Sequence, residues 1–349
     1  SLALAKVLIQ KELSVDILSC GKNNRYDKTR TLGISKSNVD YFNKNIINIK
    51  KILWEIKNIK VFTERFFNQE VLNFNNNNSQ IFSIIKNYEL QKILFNDLKK
   101  SKFINFKNYT NYKNIINKEY KLIINCDSRN QITKKFFYNK IEKNYNSYAY
   151  TTTINHKKMF SNSIAYQNFT DKGPIAFLPI SETQTSVVYS LRSKNLNDNL
   201  DVNNSIRKYN PGYLINKIGD ISRFEIRSSI LRKYYKDNIL AFGDLLHKIH
   251  PLAGQGFNMS LRDVKLLSKL IDERINFGLD IDSSVCREFQ KKAKDKNYVF
   301  SSGIDWIYEL FNFESKINSN LISKSVNIIG KNELINSFFK KFADYGLRI

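Results

Sequence analysis

Residues 243–264 read Gly-Asp-Leu-Leu-His-Lys-Ile-His-Pro-Leu-Ala-Gly-Gln-Gly-Phe-Asn-Met-Ser-Leu-Arg-Asp-Val, and this stretch decides the fold. It comes after an apolar run at residues 238–242, which predicts a strand, and leads into an amphipathic helix predicted over residues 261–275. A Gly-Asp turn and a glycine-rich helix entry lie between them. The turn and the helix entry together present one carboxylate and a row of free backbone N–H groups to a ligand. Such an arrangement suits a cofactor with hydroxyls, phosphates and an electron-accepting ring.

The same stretch resembles the second flavin motif of the class A flavoprotein monooxygenases. It is most similar to that of the ubiquinone-biosynthesis hydroxylases, whose run is Gly-Asp-Ala-Ala-His-x-x-His-Pro-x-Ala-Gly-Gln-Gly-x-Asn-x-Gly-x-Arg-Asp-Val, and it leans toward the octaprenyl-methoxyphenol hydroxylase branch. The resemblance implies that Asp244 binds the ribityl or pyrophosphate region of FAD and that residues 251–258 wrap the isoalloxazine ring. The cofactor contacts implied in this stretch are Gly243, Asp244, Pro251, Ala253, Gly254, Gln255, Gly256 and Asn258.

The physical chemistry of the stretch agrees with a flavin site. A helix that begins near Gly254 points its N-terminus, with its partial positive charge, at the ring and favours an anionic reduced flavin. Glycines allow the backbone to approach the ligand closely. His250 precedes Pro251, which the family pattern places at the ring. We expect His250 either to contact the flavin or orient a phenol, or to support the site from behind through a hydrogen bond.

The beginning of the sequence resembles a dinucleotide-binding unit already under way. Residues 1–10 predict an amphipathic helix and residues 14–18 a strand, and Ser-Leu-Ala-Leu-Ala at residues 1–5 matches the segment directly after the glycine turn of the family. We therefore expect the sequence to begin just downstream of the pyrophosphate loop. The family has an acidic residue at the end of the second strand, where it holds the adenosine ribose. Here that position falls on Ser19, whose hydroxyl is a weaker hydrogen-bond partner than a carboxylate.

Two further segments match flavin motifs of the family. Arg-Thr-Leu-Gly-Ile-Ser at residues 30–35 resembles Arg-x-x-Ala-Leu-Ser, which implies that Arg30 lies near the flavin and the substrate entrance; an exposed arginine at a helix start is the alternative. The run at residues 122–130 lies where the family has Gly-Ala-Asp-Gly-x-x-Ser-x-x-Arg. Asp127 matches the aspartate, which implies FAD binding and a link to the nicotinamide step. The alternative is an aspartate that caps a turn at a strand end.

An alternating apolar pattern over residues 148–192 predicts several strands of a second sheet. Residues 165–179 resemble the hydroxylase stretch Ala-x-Gln-x-Phe-Thr-x-x-Gly-Pro-x-Ala-x-Leu-Pro. The resemblance implies that this sheet forms a wall over the flavin and that Gln167, Phe177 and Pro179 line the substrate pocket. Plain strand packing is the alternative, particularly for Phe177.

Composition bounds the remaining classes of protein. The chain has 349 residues, 42% of them hydrophobic, and a formal net charge of +24. A nucleic-acid partner is not expected, because the lysines are dispersed and no zinc, helix-turn-helix or RNA-binding signature accompanies them. Two interpretations of the positive charge remain: a positive face that attracts anionic lipid, or a solvated surface without a partner. The three histidines and three cysteines have no metal-like spacing, so no metal site is expected.

The predicted fold class is α/β: a Rossmann-like FAD-binding domain, an antiparallel-sheet substrate domain and C-terminal helices. The predicted domains are residues 1–50, 84–147 and 232–290 for FAD, residues 51–83 and 148–231 for the substrate sheet, and residues 291–349 for the helical segment. The resemblance implies an NAD(P)H- and O2-dependent monooxygenase that hydroxylates a polyprenylated phenol through a flavin C4a-hydroperoxide, with His250, Pro251 and Arg30 as its catalytic residues. It also implies a cytoplasmic protein at the periphery of the inner membrane, with other ubiquinone-pathway proteins as partners.

Two alternative functions stay open at this point. The first is a degenerate, non-catalytic relative that serves as a scaffold or lipid-binding subunit, which the altered motifs around Ser19 and Asp127 favour. The second is a flavin hydroxylase that acts on a small soluble phenol.

Overall fold

The structure is a computed structural model of the whole chain. It describes residues 1–19, 28–64, 69–75, 79–108, 113–116, 120–192, 202–317 and 320–330, and the single positions 337, 341, 344 and 346. The strands and helices within these ranges form a mixed α/β fold.

A large, mostly antiparallel sheet forms the middle of the molecule. Its strands are β4 (Asn58–Thr63), β5 (Glu70–Asn75), β9 (Lys140–His156), β10 (Ile164–Thr170), β11 (Gly173–Pro179), β12 (Gln184–Arg192), β13 (Ile215–Ile218), β14 (Ser222–Leu231) and β17 (His247–Lys248). The path through the sheet runs β17-β14-β9-β12-β11-β10-β4-β5, with β13 also paired to β9. This sheet confirms the strands predicted from the alternating pattern over residues 148–192.

Two separate parallel pairs form the predicted nucleotide-binding part. The first joins β1 (Val15–Ser19) to β7 (Ile104–Asn108), and the second joins β8 (Ile123–Asn125) to β16 (Ile239–Ala241), which also pairs with β15 (Tyr235–Lys236). The apolar runs predicted as strands at residues 14–18 and 238–242 are thus strands. Parallel strands of this kind present their carboxyl ends, where ligands bind in such folds, at one edge.

A third, small sheet connects the two parts of the chain. It contains β2 (Thr31–Ser35), β6 (Phe82–Lys86) and β3 (Leu53–Ile56), in the order β2-β6-β3. The predicted domain boundary between residues 83 and 84 therefore falls within one strand of this sheet. Hydrogen bonding across β6 ties the two predicted domains together at this point.

The helices are α1 (Leu2–Ile9), α2 (Lys36–Asn45), α3 (Asn87–Leu98), α4 (Lys113–Ile116), α5 (Gln131–Phe136), α6 (Val202–Lys208), α7 (Gln255–Asn276), α8 (Ser283–Ile317) and α9 (Leu321–Gly330). Helix α7 begins at Gln255, directly after the glycine-rich entry where the flavin motif predicts a helix start, and six residues before the amphipathic run at residues 261–275. Glycine-rich sequence lowers helix propensity, but the αL conformation of Gly254 at the N-cap (φ 63°) and the packing of the first turn start the helix at Gln255. The whole glycine-rich entry therefore lies at or inside a helix N-terminus.

The main hydrophobic core joins the parallel strands to helices α1, α2, α3, α7 and α8. Its fully buried members include Phe42, Leu246, Leu267 and Phe289, which come from distant parts of the sequence. Within the described part of the chain, no helix is both long enough and apolar enough to span a bilayer.

A buried polar cluster joins strand β17 to helices α7 and α8. The carboxylate of Asp263 accepts a hydrogen bond of 2.6 Å from Nε2 of His247 and one of 3.1 Å from Nδ2 of Asn297. His247 and Asp263 are 2% and 3% exposed, so both bonds are shielded from water. The cluster fixes the segment before Pro251 against helix α7.

We predict that Asp263→Ala lowers the free energy of unfolding by about 3–5 kcal/mol, because it leaves His247 and Asn297 buried without their acceptor. Glu273→Ala on the same helix is the matched control, since its carboxylate pairs with the exposed Lys269 at 3.8 Å and with Lys292 at 4.0 Å, and such surface pairs contribute about 0–1 kcal/mol. Urea denaturation measures both. Equal midpoints for the two variants would contradict the structural role of the cluster.

Candidate active site

The glycine-rich entry to α7 packs directly against strand β2. A Cβ atom on Gly254 would lie 3.5 Å from the backbone nitrogen of Gly33, and one on Gly33 would overlap the ring of Phe82 at 1.8 Å. Gly33 therefore needs glycine for space, whereas a Cβ on Gly254 would make only an ordinary van der Waals contact. Gly254 favours glycine because it adopts the left-handed conformation (φ 63°). The contact brings together two segments that the sequence assigned separately to the flavin.

Asn258 holds this contact in place. Its Oδ1 accepts hydrogen bonds of 2.9 Å from the backbone N–H of Ser35 and from Nδ2 of Asn38, and its Nδ2 donates to the backbone oxygens of Gly33 (3.1 Å) and Gly254 (3.5 Å). The side chain is fully buried. The prediction that Asn258 contacts the cofactor is corrected for its side chain, because the amide is already engaged by protein groups on both sides.

The predicted acidic ligands lie at neighbouring strand ends. Strands β8 and β16 pair in parallel, with Asn125 opposite Ala241, so Asp127 and Asp244 come after their strands at the same edge. Both residues are exposed. One oxygen of Asp127 accepts a hydrogen bond of 2.8 Å from the backbone N–H of Arg129. This is the turn-capping role that the sequence offered as the alternative to FAD binding. Asp244 comes directly after Gly243, which has a left-handed conformation.

Ser19 ends strand β1 opposite Asn108, at the carboxyl end of the first parallel pair. Its side chain lies outside the described residues, and so does that of Ala253. Both contacts therefore stay predictions.

His250 lies in an aromatic cage instead of an open cleft. Its ring centroid is 4.9 Å from that of Tyr145, at an interplanar angle of 80°, and 4.3 Å from that of Tyr308. Its Nδ1 accepts the backbone N–H of Leu252 at 3.2 Å, so the proton of the neutral ring is on Nε2. The side chain is fully buried. This geometry favours the supporting role of His250 over direct contact with a ligand.

Burial, with a smaller contribution from the positive charge of Lys143, lowers the pKa of His250 to about 3. The same environment raises the pKa of Asp305, chiefly through burial, and that carboxyl accepts a hydrogen bond from Tyr145. Tyr145 lies in strand β9 and Asp305 in helix α8. Their hydrogen bond therefore links the sheet to the helix next to the imidazole of His250. Neither residue could be found from the sequence, since no local pattern connects positions 145, 250 and 305.

One face of the large sheet is directed toward β2 and β6, and we call it the inner face. The hydroxyls of Ser186 and Thr31 are 2.9 Å apart across this gap. Strand register places Gln167, Ala176 and Val188 side by side on the inner face, and Leu178 packs there against the Phe82 cluster. The same face also carries Ser186 and Thr151, which is paired with Val188, so the sheet forms a wall of mixed apolar and hydroxyl side chains toward β2 and β6.

Of the three residues predicted to line the substrate pocket, only Gln167 lies on the inner face. Phe177 points to the opposite face, where it is 1% exposed and its ring lies 6.3 Å from that of Tyr213. Pro179 alternates with Leu178 and shares the outer face with Phe177. The prediction for Phe177 and Pro179 is corrected, because the period-2 alternation of a strand turns them away from Gln167. Ala176, Leu178 and Val188 lie on the inner face with Gln167 instead.

The remaining predicted residues surround the Gly33–Gly254 contact. Arg30 is exposed immediately before β2, whereas Pro251 and Gly256 are partly buried around the helix entry. Gln255 is 7% exposed, and its Oε1 has no hydrogen-bond partner among the described residues. Nowhere in the described ranges do three or more His, Cys, Asp or Glu side chains come together as a metal site.

These residues fit FAD. The two required glycines leave backbone groups accessible at a helix N-terminus, the amide oxygen of Gln255 is an acceptor without a donor, and two exposed carboxylates lie at adjacent parallel strand ends. A sheet face with apolar and hydroxyl side chains is directed toward β2 and β6. A ligand with ribose and ribityl hydroxyls, phosphates and a flat ring is complementary to this set of groups.

Comparison with protein families finds that residues 126–278 match the FAD binding domain family. The mitochondrial ubiquinone biosynthesis monooxygenase COQ6 of Schizosaccharomyces pombe is 22% identical over 265 residues, which are 62% of this chain and 55% of the relative. The 3-demethoxyubiquinol 3-hydroxylase of Escherichia coli is 29% identical over 158 residues, 42% of this chain and 39% of the relative. The chain thus spans about half the length of the curated relatives it matches.

Solved structures show the same fold. The p-nitrophenol 4-monooxygenase PnpA of Pseudomonas putida superposes with a TM-score of 0.75 at 11% identity, over 100% of this chain and 96% of that one. HpxO of Klebsiella pneumoniae, complexed with FAD and uric acid, superposes with a TM-score of 0.74 at 12% identity, over 96% and 92% of the two chains.

We predict that Asn258→Ala lowers the free energy of unfolding by about 2–4 kcal/mol, because it leaves the N–H of Ser35 and the carbonyl of Gly33 buried without partners. Asn276→Ala, at the exposed end of the same helix, is the control and should change stability by less than about 0.5 kcal/mol. Chemical denaturation of the two variants checks this. A loss confined to ligand binding, with stability unchanged, would restore Asn258 as a direct cofactor ligand.

The low pKa of His250 predicts a pH-dependent stability. The unfolded chain takes up a proton near the ordinary value of 6.5, whereas the folded protein resists protonation down to about 3. The part of the unfolding free energy that depends on a neutral His250 is therefore fully present above pH 6.5. It is lost as the pH falls toward 3, by at most about 1.4 kcal/mol per pH unit. His250→Asn cannot titrate, so its unfolding free energy should fall less steeply over the same range. Parallel curves for the two proteins would show that His250 is protonated without cost.

Proposed function

We propose that this chain is a class A FAD-dependent monooxygenase that hydroxylates the aromatic ring of a polyprenylated phenol in ubiquinone biosynthesis; the match of residues 126–278 to the FAD binding domain family supports this. The observation that carries the proposal is the contact of Gly33 with Gly254 at the N-terminus of α7, next to the inner face of the sheet. Relatives named as ubiquinone-biosynthesis monooxygenases support the substrate class.

FAD is the cofactor, and the residues around this contact would hold it. Asp244 and Asp127 offer carboxylates to hydroxyl groups at the strand ends, and Gln255 and Gly256 offer backbone N–H groups in the first turn of α7. The partial positive charge of the α7 N-terminus favours negative charge on the ring. Bound FAD would supply hydride acceptance from NAD(P)H and activation of O2, chemistry that no side chain provides.

The overall reaction requires no acid–base group of unusual strength. One oxygen atom of O2 replaces a ring hydrogen as a hydroxyl group, the other leaves as water, and NAD(P)H with one proton supplies the two electrons. The apolar side chains of the inner face, Ala176, Leu178 and Val188, exclude water and accommodate an apolar ring, while Gln167 offers a polar contact. His250 stays neutral behind the site, and Arg30 stands at its exposed edge.

A polyprenyl tail makes the substrate a membrane lipid. We therefore propose that the protein works at the periphery of a membrane and exchanges substrate with other proteins of ubiquinone biosynthesis. The net charge of +24 supports attraction to anionic lipid.

The experiment is flavin quantification and then turnover. The protein expressed from its whole gene is expected to contain about one FAD per chain and to oxidise NAD(P)H with formation of a hydroxylated prenylphenol. Asp244→Ala should lower the FAD content about tenfold or more, through loss of charge-assisted hydrogen bonds. Asp280→Ala, whose carboxylate pairs with Lys121 at the surface, should retain it.

The outcomes separate the alternatives. Absence of FAD from the whole-gene product would leave the non-catalytic scaffold. FAD with turnover of small soluble phenols only would move the substrate away from prenylated lipids.

A further inference from the structure

Helix α8 carries a row of large apolar side chains on the face turned away from the protein. Val299, Trp306, Leu310, Phe313 and Ile317 are 50%, 69%, 40%, 56% and 48% exposed. They are separated by three, four or seven residues, so they lie on one face of the helix. An isolated exposed apolar residue is ordinary in soluble proteins, whereas a contiguous row indicates an interaction surface.

The next helix also carries exposed apolar side chains, and these are seven residues apart and so lie on one side of it. Leu321 and Ile328 in α9 are 66% and 71% exposed. We call these seven residues of the two helices the α8–α9 outer face.

The opposite side of α8 packs on the active site. Phe300 and Ile304 belong to the same buried cluster as Leu252 and Met259 at the glycine-rich entry. The outer face is therefore about one helix diameter, roughly 10 Å, from the elements that surround the candidate flavin site. A surface docked on the outer face would lie close to the site where a ring is hydroxylated.

The charges around the outer face identify its partner. Along the face, Asp295 is exposed next to the exposed Lys296, and Asp305 accepts a hydrogen bond from Tyr145. Glu309 pairs with Lys143 at 2.8 Å, and Glu314 is buried and accepts the backbone N–H of Ser323. Lys316 and Lys324 are exposed. The face thus combines aromatic and aliphatic side chains with outward positive charge, the composition of helices that lie in an anionic membrane interface.

A second copy of the chain fits this face less well. Each copy carries a net charge of +24, and the exposed lysines would face one another across a symmetric contact. Like charges in such a contact oppose association.

We propose that the α8–α9 outer face docks on the surface of an anionic lipid bilayer, with both helices lying along it and Trp306, Leu310 and Phe313 in the interface. The proposal rests on the function proposed above and deepens it by naming the surface through which a lipid substrate would be approached. Trp and Lys side chains are well suited to this position, since each has an apolar body and a polar end.

Vesicle co-sedimentation of the whole protein tests the proposal. We expect binding to vesicles of phosphatidylcholine with phosphatidylglycerol, weaker binding to phosphatidylcholine alone, and a decrease with added salt. The double variant Trp306→Ser, Phe313→Ser should lower the partition coefficient on the mixed vesicles about tenfold or more, since it removes two apolar anchors.

The matched control is a second exposed apolar site just beyond the end of strand β9. Phe160 is 97% exposed there, beside the partly exposed Met159 and close in sequence to Lys157 and Lys158. Phe160→Ser should leave vesicle binding unchanged. Thermal unfolding and flavin content should be unchanged in every variant, because each altered side chain lies at the surface.

Three outcomes would overturn the proposal. The first is an absence of binding to the mixed vesicles, and the second is release by Phe160→Ser but not by the double variant. The third is a wild-type dimer in light scattering that the double variant converts to a monomer, which would assign the face to a second copy. These measurements need no turnover, so a failure of the docking surface and a failure of the hydroxylase function are distinguishable.

Discussion

The buried amide of Asn258 is the interaction on which the candidate site depends. It ties strand β2 and helix α2 to the glycine-rich entry of α7 through four hydrogen bonds. Because the amide is fully buried, each of these hydrogen bonds satisfies a buried polar group that would otherwise destabilise the folded protein. Two segments more than 200 residues apart in sequence are held in register by this one side chain, in a packing where a Cβ on Gly33 would overlap the ring of Phe82.

The region behind the site is equally constrained. His250 is enclosed by Tyr145 and Tyr308, while His247, three residues before it, is bound to Asp263 and Asn297. Helix α8 contributes to both clusters through Tyr308 and Asn297. The same helix therefore supports the flavin motif on its inner side and offers an apolar face on its outer side, which connects the chemistry of the site to the surface proposed for lipid contact.

The sequence predicted the organisation of the chain well where a motif is contiguous. The strand before Gly243, the helix after Gly256 and the parallel strands ending near Ser19 and Asp127 lie where their patterns indicated, and the FAD binding domain match covers the main motif. Boundaries were less predictable from apolar patterns alone. Helix α7 begins at Gln255 because Gly254 adopts a left-handed conformation, which apolar periodicity does not record.

The sequence by itself determined the fold class, the flavin motif and the kind of chemistry, because those depend on local spacing and residue type. Only the tertiary structure decided which side chains face the site. Phe177 and Pro179 turn away from Gln167 because strand register and pleat assign them to the other face of the sheet. Asn258 is consumed by hydrogen bonds to β2 and α2, and His250 is enclosed by residues of β9 and α8. Burial and pairing of this kind arise between distant segments, and a linear sequence carries no record of them.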